Sequence, residues 1–230
     1  MPDISPGKDC YLQMNDETTW ALARDATTAE TASINVSAGY VRISGAGSKY
    51  DVYRAFFAFD TSGISTAPAS ATLRVYGQNY SGADLIAVAV DPSATGDSST
   101  DWADTDFAEI VGYVAGSTMS GNVTEYSAEY SPWLLSQYND IVLTSAALAD
   151  MASLSEFKLA LVSYDYDYLN AAPPASTYRS KIKFMADTAA KRPHISYVEG
   201  VAANDTISGR ALAGTSLAGT SLSGGGSDVS

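Results

Sequence analysis

The segment YRAFFAFDTSGISTAPASATLRVYG, residues 53–77, decides the fold class, because bulky apolar side chains alternate with others on both sides of a polar loop. The first strand places on one face Tyr53, Ala55, Phe57 and Phe59. The second strand places on one face Ala71, Leu73 and Val75. The loop between them is too long for a tight hairpin, so we expect the strands to lie apart or to cross between sheets. The segment carries no evident nucleophile, metal cluster or phosphate loop and is predicted to be scaffold.

The same alternation recurs along the chain between clusters of Gly, Ser, Asn and Asp, and it predicts strands from one end to the other. The predicted strands are Asp9–Met14, Ser33–Val36, Tyr40–Ser44, Val52–Phe59, Ala71–Gly77, Leu85–Val90, Asn122–Tyr126, Ile141–Thr144, Phe157–Tyr164, Ser180–Met185 and His194–Glu199. This number of strands, with few helical segments, favours an all-β fold, a two-sheet antiparallel β-sandwich, over a parallel α/β sheet.

Short connecting helices are predicted at three places. In residues 131–138, Ser131 can cap a helix and Pro132 can occupy its first position. Residues 144–154 are rich in helix formers behind Thr144 or Ser145 as a cap. Residues 101–110 offer Asp101 or Asp104 as a cap. All three are expected to connect strands at the rims of the sandwich.

The net negative charge and the short apolar runs of the sequence argue against nucleic acid as a partner and against a membrane-spanning helix. The 230 residues carry a formal net charge of −13, which would repel nucleic acid and anionic membranes. The apolar runs are far shorter than the roughly 20 residues of a membrane-spanning helix. The N-terminus has neither a basic nor an apolar signal region, so we expect use inside a cell or release by another route, such as lysis by a virus. Cys10, the single cysteine, is predicted to be a buried strand residue.

The last residues differ in composition and divide the chain into a sandwich domain, 1–201, and a tail, 202–230. The tail repeats a five-residue unit that spaces Leu212, Leu217 and Leu222 equally among Ala, Gly, Ser and Thr. Five is neither a helix nor a strand period, so the segment cannot bury its leucines alone. An ordered tail of this kind needs a partner surface, and we expect it to dock on another subunit.

Three segments resemble, in order, the pattern of the DNRLRE domain family. The residues that resemble the early signature of the family are Arg54, Phe57, Phe59, Asp60, Ile64, Ala71, Leu73 and Val75. The later signature resembles residues 143–167, where a helix precedes a strand that ends in acidic residues, and the closing strand resembles RPHISYVEG, residues 192–200. The resemblance covers residues 6–200. It implies a jelly-roll-like β-sandwich related to carbohydrate-binding modules, with members that bind sugars and others in surface or virion structural proteins.

Arg54 lies on a strand whose opposite face is apolar, so we expect it to be covered and bonded to a carboxylate or to strand-end carbonyls. This would make it a residue that fixes the fold.

The run SYDYDYLN, residues 163–170, is the main candidate binding site. As an extended segment it would place Asp165 and Asp167 on one side, as possible calcium ligands, and three tyrosines on the other. The aromatic platform for a sugar would consist of Tyr164, Tyr166, Tyr168 or Trp133. Two carboxylates fall short of the six to eight oxygens that Ca²⁺ takes, so a solvated strand end is the simpler alternative.

No catalytic constellation stands out in the sequence. His194 is the only histidine, it begins the last strand beside Pro193, and no G-x-S-x-G motif occurs. We therefore expect a non-enzymatic protein without a required cofactor, most consistent with a phage virion subunit: a capsid decoration, collar or fibre-associated protein in a homo-oligomeric assembly. The alternative is a carbohydrate-binding module, and a surface virion protein could serve both purposes.

Overall fold

The computed structural model describes residues 1–80, 83–97 and 99–201, and the tail residues Leu212, Leu217 and Leu222 lie outside them. The strands are β1 (Asp3–Ile4), β2 (Pro6–Glu17), β3 (Thr31–Ile34), β4 (Ala38–Ser44), β5 (Tyr50–Asp60), β6 (Ser70–Tyr80), β7 (Leu85–Ala89), β8 (Tyr138–Val142), β9 (Glu156–Ser163), β10 (Thr177–Lys183) and β11 (His194–Val198). The α-helices are α1 (Trp20–Arg24) and α2 (Ser145–Ser153), with 3₁₀ turns at Ala46–Ser48, Asp104–Ala108 and Ala189–Lys191 and a π turn at Tyr164–Tyr168.

The strands form two antiparallel sheets, as the sequence predicts. The smaller sheet has the order β1-β11-β6-β8. The larger sheet runs β3-β2-β5-β9-β7, with β4 paired to the start of β5. Strand β10 pairs with β4 and with the end of β6, so the two sheets share β6. The fold is an all-β sandwich with few, short helices.

Strand β6 passes from one sheet to the other at Gly77. Residues before it pair with β8 and β11, whereas Gly77 itself pairs with Ile182 of β10, where the register shifts. A Cβ at position 77 would lie 2.0 Å from the carbonyl oxygen of Leu134. Only glycine lets the strand cross this close to another backbone.

The centre of the larger sheet, formed by β5, β7 and β9, is buried on both faces. One face of β5, with Ala55, Phe57 and Phe59, packs in the core between the sheets. The opposite face packs in a second core beneath what we call the covering layer, which consists of α1, residues 91–97, residues 99–123 and residues 164–168. This second core includes from the sheet Cys10, Leu12, Val52, Phe56, Ala58, Val88 and Val162, and from the covering layer Ala23, Trp102, Phe107, Met119 and Tyr168.

Some expected elements differ in the structure. Residues 122–126 do not form a strand: Glu125 makes an isolated bridge to Val88, and other backbone groups of the segment bond to β7 and to Val111 at separate positions. Strand β1 and helix α1, neither of which was predicted, are short elements. The helix at residues 144–154 is confirmed as α2 with Thr144 as its cap, and residues 101–110 form only the 3₁₀ turn.

The helix predicted at residues 131–138 is wrong. Asn139 is fully buried, and its side chain accepts a hydrogen bond from the Leu134 backbone N–H (2.7 Å) and donates one to the Leu134 carbonyl (3.0 Å). A buried amide that satisfies both backbone groups replaces the hydrogen bonds of a helix. Among the described residues, no helix has the length and apolar character needed to cross a membrane.

Candidate functional site

Arg54 lies on the face of β5 that points into the covering layer, and its side chain is fully buried. Its guanidinium donates two hydrogen bonds to the carboxylate of Asp167, one from Nε (2.8 Å) and one from Nη2 (2.9 Å). Nη1 donates to the carbonyl of Phe107 (2.7 Å), and Nη2 also donates to the carbonyl of Arg24 (2.9 Å). One side chain of the sheet therefore binds three separate segments of the covering layer, and the expected bonding to a carboxylate and to carbonyls is confirmed.

Aromatic rings and a second arginine complete this cluster. The Arg54 guanidinium carbon lies 4.2 Å from the ring centroid of Phe107 and 5.1 Å from that of Tyr113. Arg24, also fully buried, donates to the Asp167 carbonyl (2.8 Å) and pairs with Asp25 (2.6 Å). The Tyr113 hydroxyl donates toward the Arg24 carbonyl and the Asp25 carboxylate.

The electrostatics of the cluster suit a structural role. Burial alone would lower the pKa of Arg54, but the charge and hydrogen bonds of Asp167 outweigh it and raise that pKa above its ordinary value. Arg54 and Arg24 face Asp167 and Asp25, so the opposite charges balance. A buried, balanced and hydrogen-bonded ion pair positions the chain and offers no group to a solvent-borne substrate.

The run 163–170 is not the extended segment that the sequence suggested. Residues 164–168 form a π turn, so Asp165 and Asp167 do not line up on one side. Asp167 is fully buried against Arg54, whereas Asp165 is partly exposed. Within the described ranges, no group of three or more His, Cys, Asp or Glu side chains could hold a metal ion. The carboxylate of Asp167 thus serves an ion pair and not a calcium site, because Arg54 already occupies both of its oxygens.

The aromatic residues proposed as a sugar platform do not form one surface. Tyr164 stacks on Tyr168, with ring centroids 5.2 Å apart, while Tyr166 packs against Tyr178. Tyr168 is 4% exposed, and its hydroxyl donates to Glu125. Trp133 is 5% exposed and packs on Tyr130 in the core between the sheets. Only Tyr164 and Tyr166 keep a partly exposed ring.

A different aromatic surface lies on β2, β4, β5 and β10, and we call it the tyrosine–cation face. Its members, all partly exposed, are Tyr11, Tyr40, Tyr53, Arg42, Arg179 and Lys181. Tyr11 stacks on Tyr53 with ring centroids 5.7 Å apart, and Tyr40 meets Tyr11 edge-on at 5.8 Å. On β5 this face continues the buried series Phe59, Phe57, Ala55 and emerges from the core at Tyr53.

Cations border these rings. The guanidinium carbon of Arg42 lies 5.0 Å from the Tyr53 centroid, and the ammonium of Lys181 lies 5.2 Å from the Tyr40 centroid. Arg42 also donates to the Tyr53 hydroxyl (3.0 Å) and pairs with Asp51 (2.8 Å). This face was not predicted from the sequence because its members come from four strands. The alternating Tyr40 and Arg42 within one strand were the signal available.

Asp9 is a second unusual group, on β2 beside a cavity of about 210 Å³ lined in part by Asn35 and Met185. It is 7% exposed and accepts a hydrogen bond from the Met185 backbone N–H (2.7 Å). Burial raises the pKa of this carboxyl from 3.8 to about 7, against the opposing effects of the Met185 hydrogen bond and the charge of Arg192.

Replacing Asp9 by Asn is expected to stabilise the protein at alkaline pH. The pKa in the folded state lies above the unfolded value, so the wild type loses stability as the pH rises from about 4 through 7. Asn keeps an acceptor for Met185 without the buried charge. The expected gain in unfolding free energy is about 2–4 kcal/mol at pH 8 and near zero at pH 4. Urea unfolding at both pH values measures it. Asp3→Asn, at an exposed carboxylate, is the control, and equal gains in both variants would contradict the assignment.

No family model matches this chain, and no curated protein matches it significantly. The protein is an all-β sandwich in which the ion pair between Arg54 and Asp167 joins the covering layer to the larger sheet. The resemblance to the DNRLRE family stays a prediction that rests on the segments given above.

Proposed function

We propose that this protein is a non-enzymatic structural subunit of a phage particle, in a capsid decoration, collar or fibre-associated position. The observation that carries the proposal is the closure of the sandwich before the tail begins. Strand β11 pairs with β1 on one side and with β6 on the other, and it ends at Val198. The repeats of residues 202–230 follow this last strand in the sequence, and in the proposed role they dock on a partner subunit.

The chemistry of the described residues is compatible with a role in packing. The ring of His194 meets Tyr138 edge-on at 5.1 Å, and its Nδ1 lies 3.2 Å from the carbonyl oxygen of Arg192. Arg54, Arg24 and Asp167 bind one another and nearby backbone groups. In each case the polar side chain joins parts of the fold.

Ending the chain after Val201 is expected to leave the sandwich folded but to abolish incorporation into the particle. The truncation leaves in place every core residue of the part of the chain that the structure describes, so we expect the circular dichroism spectrum and the melting temperature to stay close to those of the full chain. Mass spectrometry of purified particles measures the copy number of wild type and truncated chains supplied at equal levels.

A full-length variant distinguishes the effect of the tail's length from the effect of its leucine side chains. Replacing Leu212, Leu217 and Leu222 together by Ser keeps the repeat and removes only its apolar side chains. We expect this variant to fail in incorporation as the truncation does. Normal incorporation of the truncated chain would refute the docking of the tail.

Carbohydrate binding is the second candidate function, and the tyrosine–cation face is the observation that favours it. Partly exposed aromatic rings with charged and amide groups at their edges are the usual components of a sugar site. This candidate and particle incorporation are compatible and are tested separately.

A further inference from the structure

The carboxylate of Asp9 is buried without a cation in contact with it. Its Oδ2 accepts the hydrogen bond from the Met185 backbone N–H (2.7 Å), and the residue is 7% exposed. In the part of the chain that the structure describes, none of the ion pairs includes Asp9. Burying a charge without a partner costs free energy. A residue that lowers stability in this way, beside a cavity, is a candidate for a binding site.

The cavity next to Asp9 has a volume of about 210 Å³. Its other walls are formed by Gly7, Lys8, Asn35, Met185 and Ala186. One water molecule takes about 30 Å³ in the liquid, so this volume corresponds to roughly seven waters. Sites for drug-sized molecules are larger, about 300–1,000 Å³. The cavity therefore suits a ligand of a few non-hydrogen atoms and is too small for an oligosaccharide.

The charged side chains nearest to Asp9 already have partners. Lys8, the preceding residue on β2, pairs with Asp101 (2.7 Å). The charge of Arg192 acts on Asp9 and lowers the pKa of its carboxyl, but the Arg192 Nε donates to the carbonyl of Asp187 (3.1 Å). Neither cation makes an ion pair with Asp9, so each leaves the buried charge without a contact that neutralises it.

The other groups packed around Asp9 add no free charge. Phe57 of β5 stands opposite Asp9 in register. Burial raises the pKa of the Cys10 thiol well above its ordinary value, so Cys10 stays neutral. The Asp187 carboxylate pairs with Lys183 (2.6 Å). A ligand in the cavity would therefore meet the Asp9 carboxylate as the charge that still lacks a partner in contact.

We propose that this cavity binds an alkylammonium group, which donates hydrogen bonds to the Asp9 carboxylate. The amide of Asn35 lines the same cavity and offers an oxygen to a second of the three ammonium N–H groups. A hydrogen bond between two ions is about twice as strong as a neutral one, so the bound cation offsets the cost of burying Asp9. The inference is independent of particle incorporation and of carbohydrate binding.

The chemistry of the cavity favours an organic cation over a metal ion or an anion. Calcium takes about six to eight oxygen ligands, and within the described ranges no group of three or more His, Cys, Asp or Glu side chains could hold a metal. An anion would face the buried Asp9 carboxylate on a chain whose net charge is −13.

Binding is expected to depend on pH, because the ionised form of Asp9 attracts the cation. Burial raises the pKa of Asp9 to about 7, so the carboxyl is about 90% ionised at pH 8 and about 3% ionised at pH 5.5. An alkylammonium keeps its charge at both pH values, since the pKa of such amines is about 10.4. The apparent affinity should therefore be about 30-fold higher at pH 8 than at pH 5.5.

Titration of the full chain with n-butylammonium chloride, followed by NMR at the Met185 backbone amide, tests the proposal. We expect this resonance to shift with a millimolar dissociation constant at pH 8. Asp9→Asn keeps an acceptor for Met185 and removes the charge, so binding should weaken by about tenfold or more. Asp3→Asn removes an exposed carboxylate instead, and this matched control should bind like the wild type.

Further ligands identify what the site recognises. n-Butanol has the same carbon chain without the charge, and we expect it not to bind. Nα-acetyl-lysine methylamide presents the same ammonium on a peptide unit. Binding at least as tight as that of n-butylammonium would indicate a lysine side chain of another chain as the source, and weaker binding would indicate a free small amine.

Several results would overturn the proposal: no shift of the Met185 amide at pH 8, equal binding of n-butanol, equal affinity at the two pH values, or equal losses in the two Asn variants. Tighter binding of calcium chloride than of n-butylammonium would also overturn it. None of these results bears on particle incorporation, which the tail truncation tests.

Discussion

Replacing Arg54 by Met is expected to lower the free energy of unfolding by about 4 kcal/mol. The change leaves the fully buried carboxylate of Asp167 without its bidentate partner. It also removes the donor to the carbonyl of Phe107 and one donor to that of Arg24. Both effects leave buried acceptors unsatisfied, and methionine fills much of the volume but supplies no hydrogen bond. Urea unfolding followed by circular dichroism measures the loss.

The matched control is an ion pair of the same length at the surface. Arg74 and Asp140 also lie 2.8 Å apart, but their side chains are 36% and 55% exposed. Arg74→Met is therefore expected to cost less than about 1 kcal/mol, since solvent screens such pairs. A double variant, Arg54→Met with Asp167→Leu, should recover part of the loss because it removes the unpaired charge. Equal effects of Arg54→Met and Arg74→Met would contradict the structural role given to Arg54.

Replacing Phe56 by Ala is expected to cost about 4 kcal/mol, as much as replacing Phe57 by Ala. The two neighbours point to opposite faces of β5, and both are fully buried. Phe56 packs on Trp102 of the covering layer with ring centroids 5.2 Å apart, and Phe57 meets Phe184 edge-on at 5.6 Å. In an ordinary sandwich strand one of the two would face solvent and its loss would cost little.

The comparison of these two variants tests whether the covering layer is a true second core. Chemical denaturation of both proteins, with the same probe and buffer, gives the two free energies. A cost below about 1 kcal/mol for Phe56→Ala beside a full cost for Phe57→Ala would show that the layer packs only loosely on the sheet.

Local patterns predicted the strands well because alternation depends on neighbouring residues alone. Strand β5 is an example: its predicted bounds, Val52–Phe59, fall within the observed Tyr50–Asp60. The covered position of Arg54 was also predictable, since a single arginine in an otherwise apolar strand must find partners. The prediction of a helix at residues 131–138 was wrong because the side chain of Asn139, which follows the segment, bonds to the backbone N–H and carbonyl of Leu134.

The arginine–aspartate cluster and the tyrosine–cation face could not be predicted in the same way, because their residues are distant in sequence. Arg54 and Asp167 are separated by 113 positions, so Asp167 looked like a free carboxylate in an acidic run. The tyrosine–cation face likewise depends on the register between β4 and β10, which alternation within one strand does not specify.

The end of β11 and the tyrosine–cation face lie toward opposite ends of the long strand β5. The end of β11 lies beside the loop that follows β5, where Ala69 donates to the carbonyl of Val198, and residues 63–66 line a cleft with Gly200. Tyr53 lies six residues before Phe59 on β5, which is about 20 Å from that end. If the proposed docking of the C-terminal tail holds the protein in place, the tyrosines and cations lie at the opposite end of β5 from the point of attachment.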